Sequence, residues 1–172
     1  LIFASYRNVK SYGTYSCRYD HGIEMIRSTD NGKTWSAPQE IHHGPNWEAM
    51  MLEQPSGELQ CYFSESRPWI SGSHSGTSMV KSDDGGKTWL PSVNNVDPYR
   101  VIRHTWYSKV QDKTLFTDQM PALIILNGSH QMAGAFESCY VYDNTGKHFK
   151  IAFAWSPEDG NWNYLQGNEG DG

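Results

Sequence analysis

Ser28 to Trp35 reads STDNGKTW, and Ser82 to Trp89 reads SDDGGKTW. Both fit the pattern S-x-D-x-G-x-T-W. A shorter third version, SPEDGNW, runs from Ser156 to Trp162. Self-similarity on this scale marks a repeat architecture, in which each copy builds one supersecondary unit. The residue types describe a hairpin turn. An Asp carboxylate can bond backbone N–H groups a few residues on. Gly supplies a positive φ where a Cβ would clash. Trp lays a large apolar surface over the turn.

The chain around these turns obeys the same grammar. Trp47–Gln54 is an apolar run, Pro55–Glu58 a turn signal, and Leu59–Glu65 a strand. A second cycle follows, with apolar Met120–Leu126, a turn at Asn127–His130 and a strand over Gln131–Glu137. Leu1–Arg7 and Gly22–Arg27 read as the second and third strands of an earlier cycle. No segment has convincing helical periodicity. The expected organisation is one partial unit over 1–45, a full one over 46–105 and a nearly full one over 106–172.

Composition excludes several classes. The 172 residues carry a net charge of −5, with no Lys/Arg block of the kind that binds nucleic acid. No apolar run approaches the ~20 residues of a membrane-spanning helix. Hydrophobic residues are only 37%, yet 7 Trp, 10 Tyr and 6 Phe argue against disorder. Cys17, Cys61 and Cys139 lack metal-site spacing.

The repeated turns resemble the Asp box, or BNR repeat, of the sialidase superfamily. The resemblance implies an all-β fold, a sialidase-like six-bladed β-propeller, with each box joining the third and fourth strands of a blade. On that reading the chain is a fragment of about two and a half blades, expected to be unstable and inactive alone. The boxes are then structural and lie away from any active site.

Register puts charge at the other end of the strands. A four-residue turn pairs Gln54 with Leu59 and sets Glu48 opposite Glu65. In the next unit Leu126 pairs with Gln131, and Met120 faces Glu137. Glu65 and Glu137 then occupy equivalent positions in successive blades, with Arg7 equivalent to them in the first. Like charges directly across a strand pair cost stability, which a fold tolerates where a site uses them. Two carboxylates flanking a glycosidic bond are the apparatus of glycoside hydrolysis. Glu65 and Glu137 are the candidate catalytic residues, and Glu48 and Arg7 candidate substrate-binding residues. Trp47, Trp69 and Tyr107 offer flat surfaces to sugar faces, as does Trp106, and Arg67 follows Glu65 closely. Arg100, Arg103 and His104 lie in the long connection to the next blade.

The family resemblance can be narrowed. Sialidases carry a Phe/Tyr-Arg-Ile-Pro motif, where this chain has Ser5-Tyr6-Arg7-Asn8. WEAMMLEQPSGELQCYFSES and MAGAFES resemble the exo-α-1,5-arabinanases of glycoside hydrolase family 93. That likeness implies a retaining glycosidase with Glu65 and Glu137 as its nucleophile and acid/base pair, in either order, Glu65 being the favoured nucleophile. It also implies an oligosaccharide or polysaccharide substrate, no cofactor, no nucleic-acid partner, and a secreted or periplasmic location. The alternatives are an exo-α-sialidase and a non-catalytic Asp-box propeller that binds carbohydrate or protein.

Overall fold

The computed structural model describes residues 1–7, 20–65, 76–91, 93, 98–102, 107–108, 113–114, 118–126, 129–143, 146–156 and 162. Among the described residues there is no helix. The first sheet holds β1 (Ile2–Arg7), β2 (His21–Ile26) and β3 (Gln39–His43). The second holds β4 (Asn46–Glu53), β5 (Leu59–Glu65), β6 (Gly76–Ser82) and β7 (Tyr99–Ile102). A short ribbon, β8 (Tyr107–Ser108) with β9 (Lys113–Thr114), precedes the third sheet. That sheet holds β10 (Gln119–Ile125), β11 (Met132–Asp143) and β12 (Gly146–Ser156). Within each sheet the strands lie in chain order and pair antiparallel. This is the blade of a sialidase-like β-propeller, repeated in three sheets.

β5 explains why the sheets stack. All seven of its residues are buried, Gln60, Ser64 and Glu65 included, as in a strand covered on both faces. Its two faces serve different neighbours. Cys61 and Phe63 pack with Ile23, Met25 and Ile41 of the first sheet, and with Val80 and Trp89. Tyr62 packs with Leu123, Met132 and Phe136 of the third sheet, and with Met79 and Trp162. Each fully buried side chain of this size contributes ~1.5–3 kcal/mol. The Cys61 thiol is pushed up to about 12 by burial, which keeps it protonated and inert.

The two complete boxes join β2 to β3 and β6 to β7, the third and fourth strands of their blades. Their internal bonding is the same. Ser28 Oγ donates to Asp30 Oδ1 at 2.8 Å and accepts from the Gly32 N–H at 2.8 Å. Asp30 also accepts from the Lys33 and Thr34 N–H groups and the Thr34 hydroxyl. Ser82, Asp84, Gly86, Lys87 and Thr88 repeat each of these bonds. Trp35 and Trp89 each donate from Nε1 to the box glycine's carbonyl, both at 3.2 Å. Positive φ at Gly32 (82°) and Gly86 (85°) makes the turn possible.

Candidate functional site

β5 and β6 pair from Leu59↔Ser82 to Glu65↔Gly76. The box that follows Ser82 is therefore at one rim, and Glu65 at the other. β4 begins at the Glu65 rim with Asn46, and β10 begins beside it with Gln119. Three side-chain bonds define this second rim. Ser78 Oγ donates to Glu65 Oε2 at 2.9 Å. Ser64 Oγ donates to Glu48 Oε2 at 2.8 Å. Gln119 Nε2 donates to Glu137 Oε2 at 2.5 Å. Glu65 is only 3% exposed. A polar group so buried must find hydrogen-bond partners, and the Ser78 hydroxyl is one of them.

The register expected for these strands needs three corrections. In the second sheet Glu53, not Gln54, pairs with Leu59. Gly57, at φ 88°, lets the loop tighten so that the Gln54 N–H bonds the Glu58 carbonyl at 2.8 Å. A bulge between Trp47 and Met50 then slips the strand again, and Glu65 faces Asn46 instead of Glu48. In the third sheet the Leu126 N–H does bond the Gln131 carbonyl, at 2.9 Å. There too a bulge, between Gln119 and Ala122, sets Gln119 rather than Met120 opposite Glu137. Each bulge contains one non-glycine residue in the left-handed region, Glu48 at φ 46° and Met120 at φ 55°.

The third correction concerns equivalence. Phe63 and Phe136 both face the preceding sheet. Counting on from them, Glu65 matches Ser138, and Glu137 matches Ser64. The two glutamates share a rim but lie on opposite faces of their sheets, since side chains alternate along a strand. In the first sheet Phe3↔Met25 matches Tyr62↔Met79, and Tyr6↔Gly22 matches Glu65↔Gly76. Tyr6, not Arg7, therefore holds the Glu65 position. A loop longer by one residue in the third sheet produces the slip.

Tyr6 crosses Gly22 to donate its hydroxyl to Glu40 Oε1, which also meets His43 Nδ1 at 2.8 Å. A Cβ on Gly22 would lie 2.7 Å from the Tyr6 hydroxyl oxygen and 2.5 Å from the His42 carbonyl. Burial, with the Glu40 carboxylate beside it, drives the Tyr6 phenol well above its usual pKa.

The remaining candidates distribute as follows. Trp47 is half-buried at the rim, opposite Ser64. Arg7 ends β1 opposite His21. Arg100 pairs through its backbone with Ser78. Tyr107 opens β8, which lies next to β11. Arg67, Trp69, Arg103, His104 and Trp106 lie outside the described residues, as does Cys17. Among the described residues no three His, Cys, Asp or Glu side chains are grouped to hold a metal ion, and no helix is long and apolar enough to cross a membrane. Sequence reasoning missed Ser64, Ser78 and Gln119, which orient the three glutamates. Nothing in their own neighbourhoods distinguishes them, because each bond spans 13 to 18 residues.

No family model matches the chain, and no curated protein does. Solved structures do. An α-L-arabinanase from Penicillium chrysogenum, complexed with arabinobiose, is 21% identical over 83% of this chain and 38% of that one, with a TM-score of 0.53. The E242A mutant of the α-L-arabinofuranosidase Arb93A from Fusarium graminearum, with an iminosugar inhibitor, is 16% identical over 93% and 42%, with a TM-score of 0.58. A protein of unknown function from Dyadobacter fermentans is 17% identical over 81% and 42%, with a TM-score of 0.56. The chain spans about two fifths of the length of these structures. At these identities the likeness is one of fold, shared with glycoside hydrolases of family 93.

Proposed function

We propose that the chain forms the carboxylate-bearing part of a retaining glycoside hydrolase. The substrate is an arabinan-type oligosaccharide cleaved from its end, outside the cell or in the periplasm. The observation that carries this reading is the rim. Glu65 is buried there under Ser78, and Glu137 sits on the next blade under Gln119. Hydrolysis with retention needs one carboxylate to attack the anomeric carbon and one carboxyl to protonate the leaving oxygen. Glu65 suits the attack, because a fixed, water-shielded carboxylate is already oriented. Glu137 suits proton transfer, because it is half-buried and open to solvent for the second step. The half-buried Trp47 offers an apolar plane for a sugar ring beside them. The domain boundaries expected from the repeat, near residues 45 and 105, are part of the same proposal.

The test is turnover of an arabinan oligomer by the protein carrying residues 1–172. Glu65→Gln and Glu137→Gln should each lower kcat by ~10²–10⁴-fold, the worth of a positioned acid, base or nucleophile. The first-formed product should keep the anomeric configuration of the substrate, read by NMR before mutarotation. Full activity in both variants sinks the assignment. Carbohydrate binding without turnover in the parent protein would favour a binding propeller.

A further inference from the structure

A chain of hydrogen bonds crosses the joint between the second and third sheets at this rim. The Met120 N–H donates to Ser64 Oγ at 2.7 Å, and the Ser64 hydroxyl donates to Glu48 Oε2 at 2.8 Å. One strand further out, Thr77 Oγ1 donates to the Asp118 carbonyl at 2.7 Å. Ser64 and Thr77 are fully buried. Gln119, between the two anchored residues, donates from Nε2 to Glu137 Oε2.

The direction of each bond is forced. A backbone N–H can only donate, so the Ser64 oxygen accepts from Met120 and its one proton goes to Glu48. Glu48 Oε2 is thus an acceptor. The Gln119 amide likewise donates to Glu137 Oε2, which fixes the orientation of that carboxyl group. Asp118 and Met120 both have φ 55°, and Glu48 has φ 46°. Non-glycine residues hold such angles where the surroundings over-determine them, and here Thr77 and Ser64 pin the backbone on either side of Gln119.

We propose that Ser64 is a positioning residue for Glu137. It clamps Met120 to Glu48, and with Thr77 it fixes the backbone from which Gln119 orients the Glu137 carboxyl group. The proposal rests on Glu137 being a working carboxyl group of a glycosidase. It adds that the clamp runs across a blade joint, so that the geometry of one blade's carboxyl group is set by its neighbour.

The experiment compares Ser64→Ala, Ser64→Thr and Gln119→Leu in the protein carrying residues 1–172, on an arabinan oligomer. Ser64→Ala should lower kcat about 10–100-fold, as small misplacements of a reacting group do. KM should stay within about twofold, because the loss is confined to the transition state. Ser64→Thr keeps the hydroxyl and should recover most of kcat. Gln119→Leu, which leaves the buried joint intact, should reproduce the loss even if Ser64→Ala folds poorly. The second readout is the Gln119 side-chain amide by NMR. Its hydrogen-bonded proton should exchange faster in Ser64→Ala and unchanged in Ser64→Thr. A lower thermal midpoint with kcat and the Gln119 amide unaltered would overturn the proposal, as would full kcat in Gln119→Leu. If Glu137→Gln keeps full turnover while Ser64→Ala still frees the Gln119 amide, the catalytic reading fails and the clamp stands.

Discussion

At one rim of the sheets, Asp30 and Asp84 are held by donors from their own turns, all within four residues. At the other rim, Glu48, Glu65 and Glu137 take bonds from residues 13 to 18 positions away, and Ser64 in turn is tied to Met120 across 56. The first kind of carboxylate is complete as soon as eight consecutive residues fold. The second exists only when strands have paired and blades have docked. One rim is therefore a local device that holds β-strands together, and the other a product of the assembled fold.

Charge removal should separate the rims most strongly. Glu137→Gln keeps the shape and an acceptor oxygen, so it should leave the thermal midpoint close to the parent's while turnover falls by ~10²–10⁴-fold. Asp84→Asn should do the reverse, lowering the midpoint and leaving kcat unchanged. A loss of kcat in Asp84→Asn at full folding would break the division.

The box tryptophans sharpen the comparison within one rim. Trp89 is 6% exposed and packs against Ile23, Met25 and Ile41 of the preceding sheet. Trp162, from the shortened third box, is 2% exposed and enters the joint between the second and third sheets, donating to the Tyr62 hydroxyl at 3.0 Å. Trp35 makes the same bond to its glycine as Trp89, yet it is 41% exposed, and no sheet precedes β1 among the described residues. The turn thus supplies the hydrogen bond, and the preceding blade supplies the burial. Trp89→Ala should cost about 3–5 kcal/mol in chemical unfolding, as deleting a buried aromatic does. Trp35→Ala should cost about 1 kcal/mol or less. Equal losses would mean that the indole stabilises its own turn rather than the joint. Of intermediate size, about 1–3 kcal/mol, is the loss expected for Gly22→Ala, whose Cβ must displace Tyr6 or the His42 carbonyl.

These examples show what a sequence can carry. The box pattern identified the blade, the order of its strands and the rim on which the carboxylates lie, because every partner of Asp30 and Asp84 is within a short string. It also pointed to Glu65 and Glu137 as the ends of apolar stretches, but only Glu65 ends its strand, and β11 runs on past Glu137 to Asp143. Register was legible only where the turn matched a simple rule. Leu126 and Gln131 bond as expected. Gly57 tightened the other loop, and the bulges at Glu48 and Met120 shifted both strands further. A one-residue slip inverts the face of every side chain, so Ser138 rather than Glu137 took the Glu65 position in the third sheet. Ser64, Ser78 and Gln119 were hidden for the same reason. A serine or glutamine in a strand acquires its meaning from a partner on another strand.

The smallest expected effect is on acid stability. The Asp30 carboxyl is lowered to about 2, first by the Thr34 hydroxyl, then by the Thr34 N–H and Ser28. Asp84 is held well below the usual carboxylate range, chiefly by the Thr88 N–H and hydroxyl and by Ser82. Both are lowered relative to the unfolded chain, whose carboxyl groups protonate near pH 4. Between those values the unfolded state binds more protons, so stability rises with pH. The contribution is complete above about pH 4 and is lost as pH falls toward 2 for Asp30, and lower still for Asp84. Because both groups face water, screening keeps the effect small. The double variant Asp30→Asn/Asp84→Asn should begin less stable at neutral pH and lose less of its midpoint between pH 4 and 2. If it loses as much as the parent does, the acid sensitivity of the fold does not arise in the boxes, which then owe their stability to uncharged hydrogen bonds.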